Sequence, residues 1–266
     1  MTARLPGILP ASAFLLLSLF SCGTPSSQSG QKNAPPPPSP IAEARQLLVV
    51  TADSWGDHLA VLRRFERSGP GAPWKALGKP FRVEIGRSGM GWGRGLHGAA
   101  LDDGPVKREG DGRSPAGAFS LTEAFGYAPA SQAGFIKLQY RRITPGMICV
   151  DDPLSKSYGR LVDPEKVSSH DWTSFERMSR PDDLYLWGVV VDHNRPDPKP
   201  GLGSCIFLHI WDGRMRGTSG CTSMPAEKLL ALLTWLDRAK DPVLVQLPKP
   251  EYILLQEKWG LPEINL

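Results

Sequence analysis

Residues 203–225 read Gly203-Ser204-Cys205-Ile206-Phe207-Leu208-His209-Ile210-Trp211, then a short polar loop, then Thr218-Ser219-Gly220-Cys221-Thr222-Ser223-Met224-Pro225. The first block is apolar around a single histidine, and its β-branched and aromatic residues predict a strand. The second block leads into an amphipathic run from Ala226 to Asp237. There Leu229, Leu230, Leu232, Leu233 and Leu236 make one apolar face, which predicts a helix over Pro225–Arg238. Ser223 is the expected N-cap, and Pro225 falls in the first turn. On this reading Cys221 stands just before a helix, where the positive dipole end and unpaired N–H groups favour thiolate over thiol. His209, on a neighbouring strand, is placed to take the thiol proton and return it. A strand histidine and a pre-helical cysteine are the outline of nucleophilic acyl-transfer chemistry.

Away from this block, strand signals dominate. Short β-branched or aromatic runs lie at 46–51, 58–66, 81–85, 117–121, 135–140, 184–192, 204–210 and 243–247, separated by Gly, Pro and Asp clusters. With 28 Gly and 26 Pro, long helices are few. A second, weaker helix is expected after Asp163-Pro164-Glu165. The expected fold class is a β-rich mixed α/β domain with a few packed helices. Gly93-Arg94-Gly95-Leu96-His97-Gly98 matches the dinucleotide fingerprint in form, but Asp102-Asp103-Gly104-Pro105 follows it as a turn. With no helix N-terminus to receive a pyrophosphate, a Rossmann reading is rejected.

The first 22 residues read as a targeting segment. Arg4 supplies the positive end, and Ala13–Phe20 supplies an apolar core too short to span a bilayer. Leu19-Phe20-Ser21-Cys22-Gly23 resembles the bacterial lipobox, in which Cys22 would be lipidated and become the mature N-terminus; ordinary cleavage nearby would discard it instead. On either reading the chain is exported, and lipidation places it on the periplasmic face of a bacterial membrane, with the outer membrane favoured. Residues 23–42, including Pro35-Pro36-Pro37-Pro38, read as a Pro/Ser-rich disordered linker able to reach about 50 Å. Residues 43–266 are expected to form one domain with a real core, or a domain with large insertions.

The net charge of +4 is spread evenly, with no basic stripe interleaved with aromatics, so nucleic acid is not an expected partner. The four Cys and five His show no close pair of metal-ligand spacing, so no metal or other cofactor is expected. With Cys22 lipidated and Cys221 a nucleophile, Cys149 and Cys205 remain. An oxidising compartment permits a disulfide between them, and two buried free thiols are the alternative.

Gly203–His209 followed by Thr218-Ser219-Gly220-Cys221 resembles the L,D-transpeptidase (YkuD-type) catalytic domain, whose signature is a strand His, a loop and [Ser/Thr]-x-Gly-Cys. Arg87-Ser88-Gly89, Ser114-Pro115-Ala116-Gly117-Ala118-Phe119 and Val150-Asp151-Asp152-Pro153 with Tyr158 fit the same family. The likeness covers about residues 45 to 248. It implies a β-sandwich-type catalytic domain acting on peptidoglycan stem peptides. Cys221 would form the thioester and His209 would shuttle the proton, oriented by the carbonyl of Ile210. Backbone N–H groups near Gly220 and Cys221 would hold the oxyanion. Arg113, Tyr158, His193, Ser219 and Ser223 are the expected substrate contacts. Two departures stand out: the His-to-Cys spacing is short, and Ser223 occupies a position where many members carry Arg or Asn for the substrate carboxylate. Three functions follow in order: L,D-transpeptidation to an amine acceptor, hydrolysis of stem peptides as an L,D-carboxypeptidase or endopeptidase, and non-catalytic wall binding by a lipoprotein.

Overall fold

The computed structural model describes residues 39–98 and 104–265. The expected signal peptide, its Cys22 and the linker as far as residue 38 lie outside the described residues. Composition carries the linker to residue 42, but Ile41 is 1% exposed in the core and Ser39 Oγ donates to the Trp259 carbonyl at 2.6 Å. Residues 39–42 therefore belong to the folded unit.

The chain runs through β1 (Gln46–Ala52), β2 (Leu59–Glu66), β3 (Lys75–Ala76), β4 (Phe81–Glu84), β5 (Met90–Trp92), β6 (Ser114–Ser120) and β7 (Glu123–Gly126). It continues with β8 (Gln139–Arg142), β9 (Ile148–Val150), β10 (Leu161–Val162), β11 (Phe175–Arg177) and β12 (Trp187–Val190). Last come β13 (Phe207–Ile210), β14 (Thr222–Met224), α1 (Ala226–Trp235), β15 (Val243–Pro248) and α2 (Lys249–Trp259). One large mixed sheet has the order β5-β6-β15-β1-β2-β4-β14-β13-β12-β7-β8, with β3 beside β2, while β9 pairs with β10 and β11 in a small second sheet. The fold is β-rich mixed α/β, with two α-helices among the described residues.

The apolar run Leu47-Leu48-Val49-Val50 explains the centre of the large sheet. β1 pairs in parallel with β15 and antiparallel with β2, and every residue of β1 and β15 is buried. Strands covered on both faces need continuous rather than alternating hydrophobicity. β13 begins later than the apolar run suggests, because Cys205 adopts a φ of +54° and turns the chain before Phe207. β8 likewise starts at Gln139 instead of Phe135.

α1 opens at Ala226 with Pro225 at its cap, so Ser223 is not the N-cap; it lies inside β14. Leu229, Leu232, Leu233 and Leu236 are buried, whereas Leu230 is 44% exposed, a narrower face than expected. α1 packs on β12 and β13 and so supports the strand that carries His209. The segment after Asp163 makes only a 3-10 turn, Pro164–Lys166. α2 is an addition to the expected elements: Pro250 sits in its first turn, Tyr252, Leu255 and Trp259 are buried, and Gly260 closes it at φ +64°. No helix among the described residues is long and apolar enough to cross a membrane.

Candidate active site

β13 and β14 run parallel with His209 opposite Ser223, and β4 lies antiparallel on the other side of β14 with Glu84 opposite Ser223. Residues directly across a ladder share a face of the sheet. His209, Ser223 and Glu84 thus form a row across three strands, and Cys221 sits one residue before β14. All four line a cleft of about 680 Å³, together with Tyr185 and Glu176.

The electrostatics of Cys221 differ from the expected thiolate. β14 stands between Cys221 and α1, and three strand residues at about 3.3 Å each remove the thiol from a dipole that fades within the first turn. Burial first, then the Glu176 carboxyl, push the thiol up to about 12. The Phe207 N–H, which donates to Cys221 Sγ at 3.3 Å, the Tyr185 hydroxyl and Lys107 pull the other way without prevailing. The resting sulfur is a neutral thiol that donates to the Cys205 carbonyl at 3.5 Å.

His209 is neutral too. Burial lowers it to about 4, against the smaller raising effect of the Ile210 carbonyl. Its Nδ1 lies 2.7 Å from Ile210 O, which assigns the ring proton to Nδ1 and leaves the Nε2 lone pair as the base. The Tyr185 ring meets His209 edge-on at 5.1 Å, and the Tyr185 hydroxyl donates to Glu176 Oε1 at 2.5 Å.

The turn that presents Cys221 is fixed from behind. Gly220 has φ +149°, and a Cβ there would come within 2.9 Å of the Arg113 carbonyl, so only glycine fits. Ser114 Oγ shares its one proton between the carbonyls of Gly220 (2.7 Å) and Cys221 (3.1 Å) while accepting from Gly86 N at 2.8 Å. Thr218 Oγ1 donates to Cys221 O at 2.6 Å and accepts from Gly220 N at 3.0 Å. Cys149 and Cys205 form a disulfide that ties β9 to the loop entering β13, and Cys221 is the free cysteine of the described residues.

The other expected contacts separate. Ser219 lines the cleft and accepts from Arg87 Nη1 at 3.2 Å. Arg113 turns its guanidinium to Met90 O at 2.8 Å and is not among the residues that line the cleft; its carbonyl is the group that leaves no room for a side chain at Gly220. Tyr158 is 3% exposed and donates to Glu109 Oε2 at 2.5 Å, so it braces a cleft residue from behind. His193 is buried, accepts from Arg94 N at 3.3 Å and pairs with Leu202 O at 2.9 Å; burial takes it down to about 3. It is a neutral structural histidine and does not line the cleft. Glu84, Arg87, Glu176 and Tyr185 were absent from the expected set.

No protein-family model matches the chain, and no curated protein or solved structure matches it significantly.

Proposed function

We propose that this chain is an exported cysteine acyltransferase of the bacterial envelope, an L,D-transpeptidase with a YkuD-like, β-sandwich-type catalytic domain. It is tethered by lipid at Cys22 and acts on peptidoglycan stem peptides. The observation that carries the reading is one cleft lined by Cys221 and His209, with both groups neutral at rest and the imidazole base on Nε2. A neutral pair suits attack in which proton and sulfur move together.

In the first half, Cys221 Sγ attacks the carbonyl carbon that joins a diamino acid to a terminal D-alanine. The thiol proton passes to His209 Nε2, the C–S bond forms, and the C–N bond breaks as the alanine amine leaves with that proton. Of the two backbone donors expected for the oxyanion, that of Gly220 is engaged by Thr218 Oγ1, so the Cys221 N–H carries the role. The Arg87 guanidinium, beside Ser219 and without a carboxylate partner among the described residues, suits the carboxylate of the departing D-alanine. In the second half an amine resolves the thioester to a cross-link; water in its place gives trimming.

The test incubates the full-length chain with disaccharide-tetrapeptide muropeptides beside Cys221→Ala and His209→Gln, and reads the products by mass spectrometry. The expected result is a cross-linked dimer lacking one D-alanine, absent with Cys221→Ala and reduced about a hundredfold or more with His209→Gln. Cysteine-dependent loss of D-alanine without a dimer would replace the transferase by a hydrolase. No turnover and no Cys221 adduct would leave a wall-binding lipoprotein.

A further inference from the structure

The row Glu84–Ser223–His209 contains one group that acylation does not use. Glu84 is 3% exposed, its Oε2 is 3.5 Å from Ser223 Oγ, and its Oε1 has no well-formed hydrogen bond among the described residues, the Gly217 N–H being a backbone donor that acts on the carboxyl. A buried carboxyl with an unanswered oxygen is costly, and such a group is retained where a ligand or proton completes it. The Ser223 hydroxyl lies between this carboxyl and the catalytic imidazole, because β14 runs between β4 and β13. An anion at Ser223 would be pressed against Glu84; Asp212 also acts on that carboxyl, although Arg216 (2.8 Å) and Arg214 (3.8 Å) pair with Asp212 and His58 acts on Glu84 in the opposite sense. The position therefore suits a cation better than the substrate carboxylate that the resemblance implies for it.

Resting on the transferase reading above, we propose that Ser223 and Glu84 are a proton relay that seats and deprotonates the ammonium of the acceptor amine. The acceptor arrives as R–NH3+ with Ser223 Oγ as its hydrogen-bond acceptor. Ser223 takes one proton from nitrogen and gives its own to Glu84, so the carboxylate becomes a carboxylic acid and the hydroxyl is unchanged. The R–NH2 lone pair then attacks the thioester carbonyl carbon. The C–N bond forms, the C–S bond breaks, and the second nitrogen proton travels through His209 Nε2 to Cys221 Sγ. The third stays on the new amide, and Glu84 returns its proton to solvent once the product leaves. Ser223 touches the acceptor; Glu84 acts through it as a positioning residue.

This division of labour separates the two halves of the reaction. His209 serves both, whereas the relay serves only an acceptor that arrives protonated. Hydroxylamine, which is neutral near neutral pH, needs no such base.

The experiment compares the full-length wild type with Glu84→Gln, Glu84→Asp, Ser223→Ala and the Glu84→Gln/Ser223→Ala double variant. Three quantities are read: the rate of Cys221 adduct formation with a disaccharide-tetrapeptide by intact mass, dimer formed with the same muropeptide as acceptor, and hydroxamate formed with hydroxylamine. Expected is adduct and hydroxamate formation close to wild type in all variants. Dimer formation should fall about tenfold or more in Glu84→Gln and Ser223→Ala, no further in the double variant, and recover in part in Glu84→Asp. Unchanged dimer formation, or equal loss of dimer, adduct and hydroxamate, overturns the relay and assigns Glu84 a structural role. A wild type that forms no Cys221 adduct at all overturns the transferase reading, and the relay with it.

Discussion

The thiol of Cys221 donates to the backbone carbonyl of Cys205, and Cys205 is half of the disulfide with Cys149. The residue whose carbonyl accepts from this thiol also has a φ of +54°, a conformation that costs a non-glycine residue about 1 kcal/mol or more. The covalent tie to β9 holds the loop in that conformation. Cys149→Ser is therefore expected to disturb the site as well as the fold. Closing a loop across a sequence separation of 56 residues contributes up to about 4 kcal/mol. Urea denaturation of wild type and variant should show most of that loss, and adduct formation at Cys221 should slow. A variant with wild-type stability and adduct rate would show that the bridge holds nothing the packing does not.

Cys221 should react as a buried neutral thiol. With its value pushed up to about 12, the thiolate fraction rises about tenfold per pH unit through the range where an ordinary thiol, near 8.5, levels off. Alkylation by iodoacetamide should therefore climb log-linearly from neutral to alkaline pH. A plateau at or below about 8.5 would mean that another charge stabilises the thiolate.

Arg87 should govern donor binding. Arg87→Gln removes the guanidinium beside Ser219 and is expected to raise KM for a tetrapeptide donor about tenfold with kcat little changed. A donor amidated at its C-terminus should not distinguish the two proteins. Equal losses for both donors would exclude carboxylate recognition there.

Three histidines make the fold acid-sensitive. His97, His193 and His209 are all lowered by burial, so the unfolded chain binds their protons first as pH falls through about 6.5. Their contribution is complete above that value and is lost toward about 4 for His209 and about 3 for His193. The slope is about 1.4 kcal/mol per pH unit for each. Glu84, Glu176 and Asp192 are raised by burial and oppose this, so the net slope is less than the sum over histidines. The urea midpoint should fall between about pH 7 and pH 5, and fall less in His193→Gln. A midpoint insensitive to pH, or a variant with the wild-type slope, would contradict neutral burial of His193.

The parts of this protein that were legible in its sequence are local. The Cys221 motif, the apolar strand around His209 and the buried run of β1 each lie within a few residues. The helix after Cys221 was legible as well, but Thr222–Met224 has too few residues to show a period, so the strand between thiol and helix was not. α2 carries a local signal too: Pro250 in a first turn, Tyr252, Leu255 and Trp259 at helical spacing, and Gly260 beyond. Glu84, Glu176 and Tyr185 reach Cys221 only through sheet register, across long stretches of chain, and no local pattern announces that. Glu84 had one visible mark, an acid set directly between Val83 and Ile85, both of them fully buried.

The pairing of β1 with β15 has a consequence for how the protein is made. The first strand of the described residues finds its parallel partner in Val243–Pro248, the last strand among them. Contacts of such sequence separation form late and slowly, because the intervening chain must be ordered before they add stability. While the polypeptide is still being synthesised, Leu47–Val50 has β2 on one side and an open apolar edge on the other. Such an edge invites aggregation and proteolysis. A product interrupted before Val243 lacks the strand that covers that edge, so β1 waits for the last strand of the described residues.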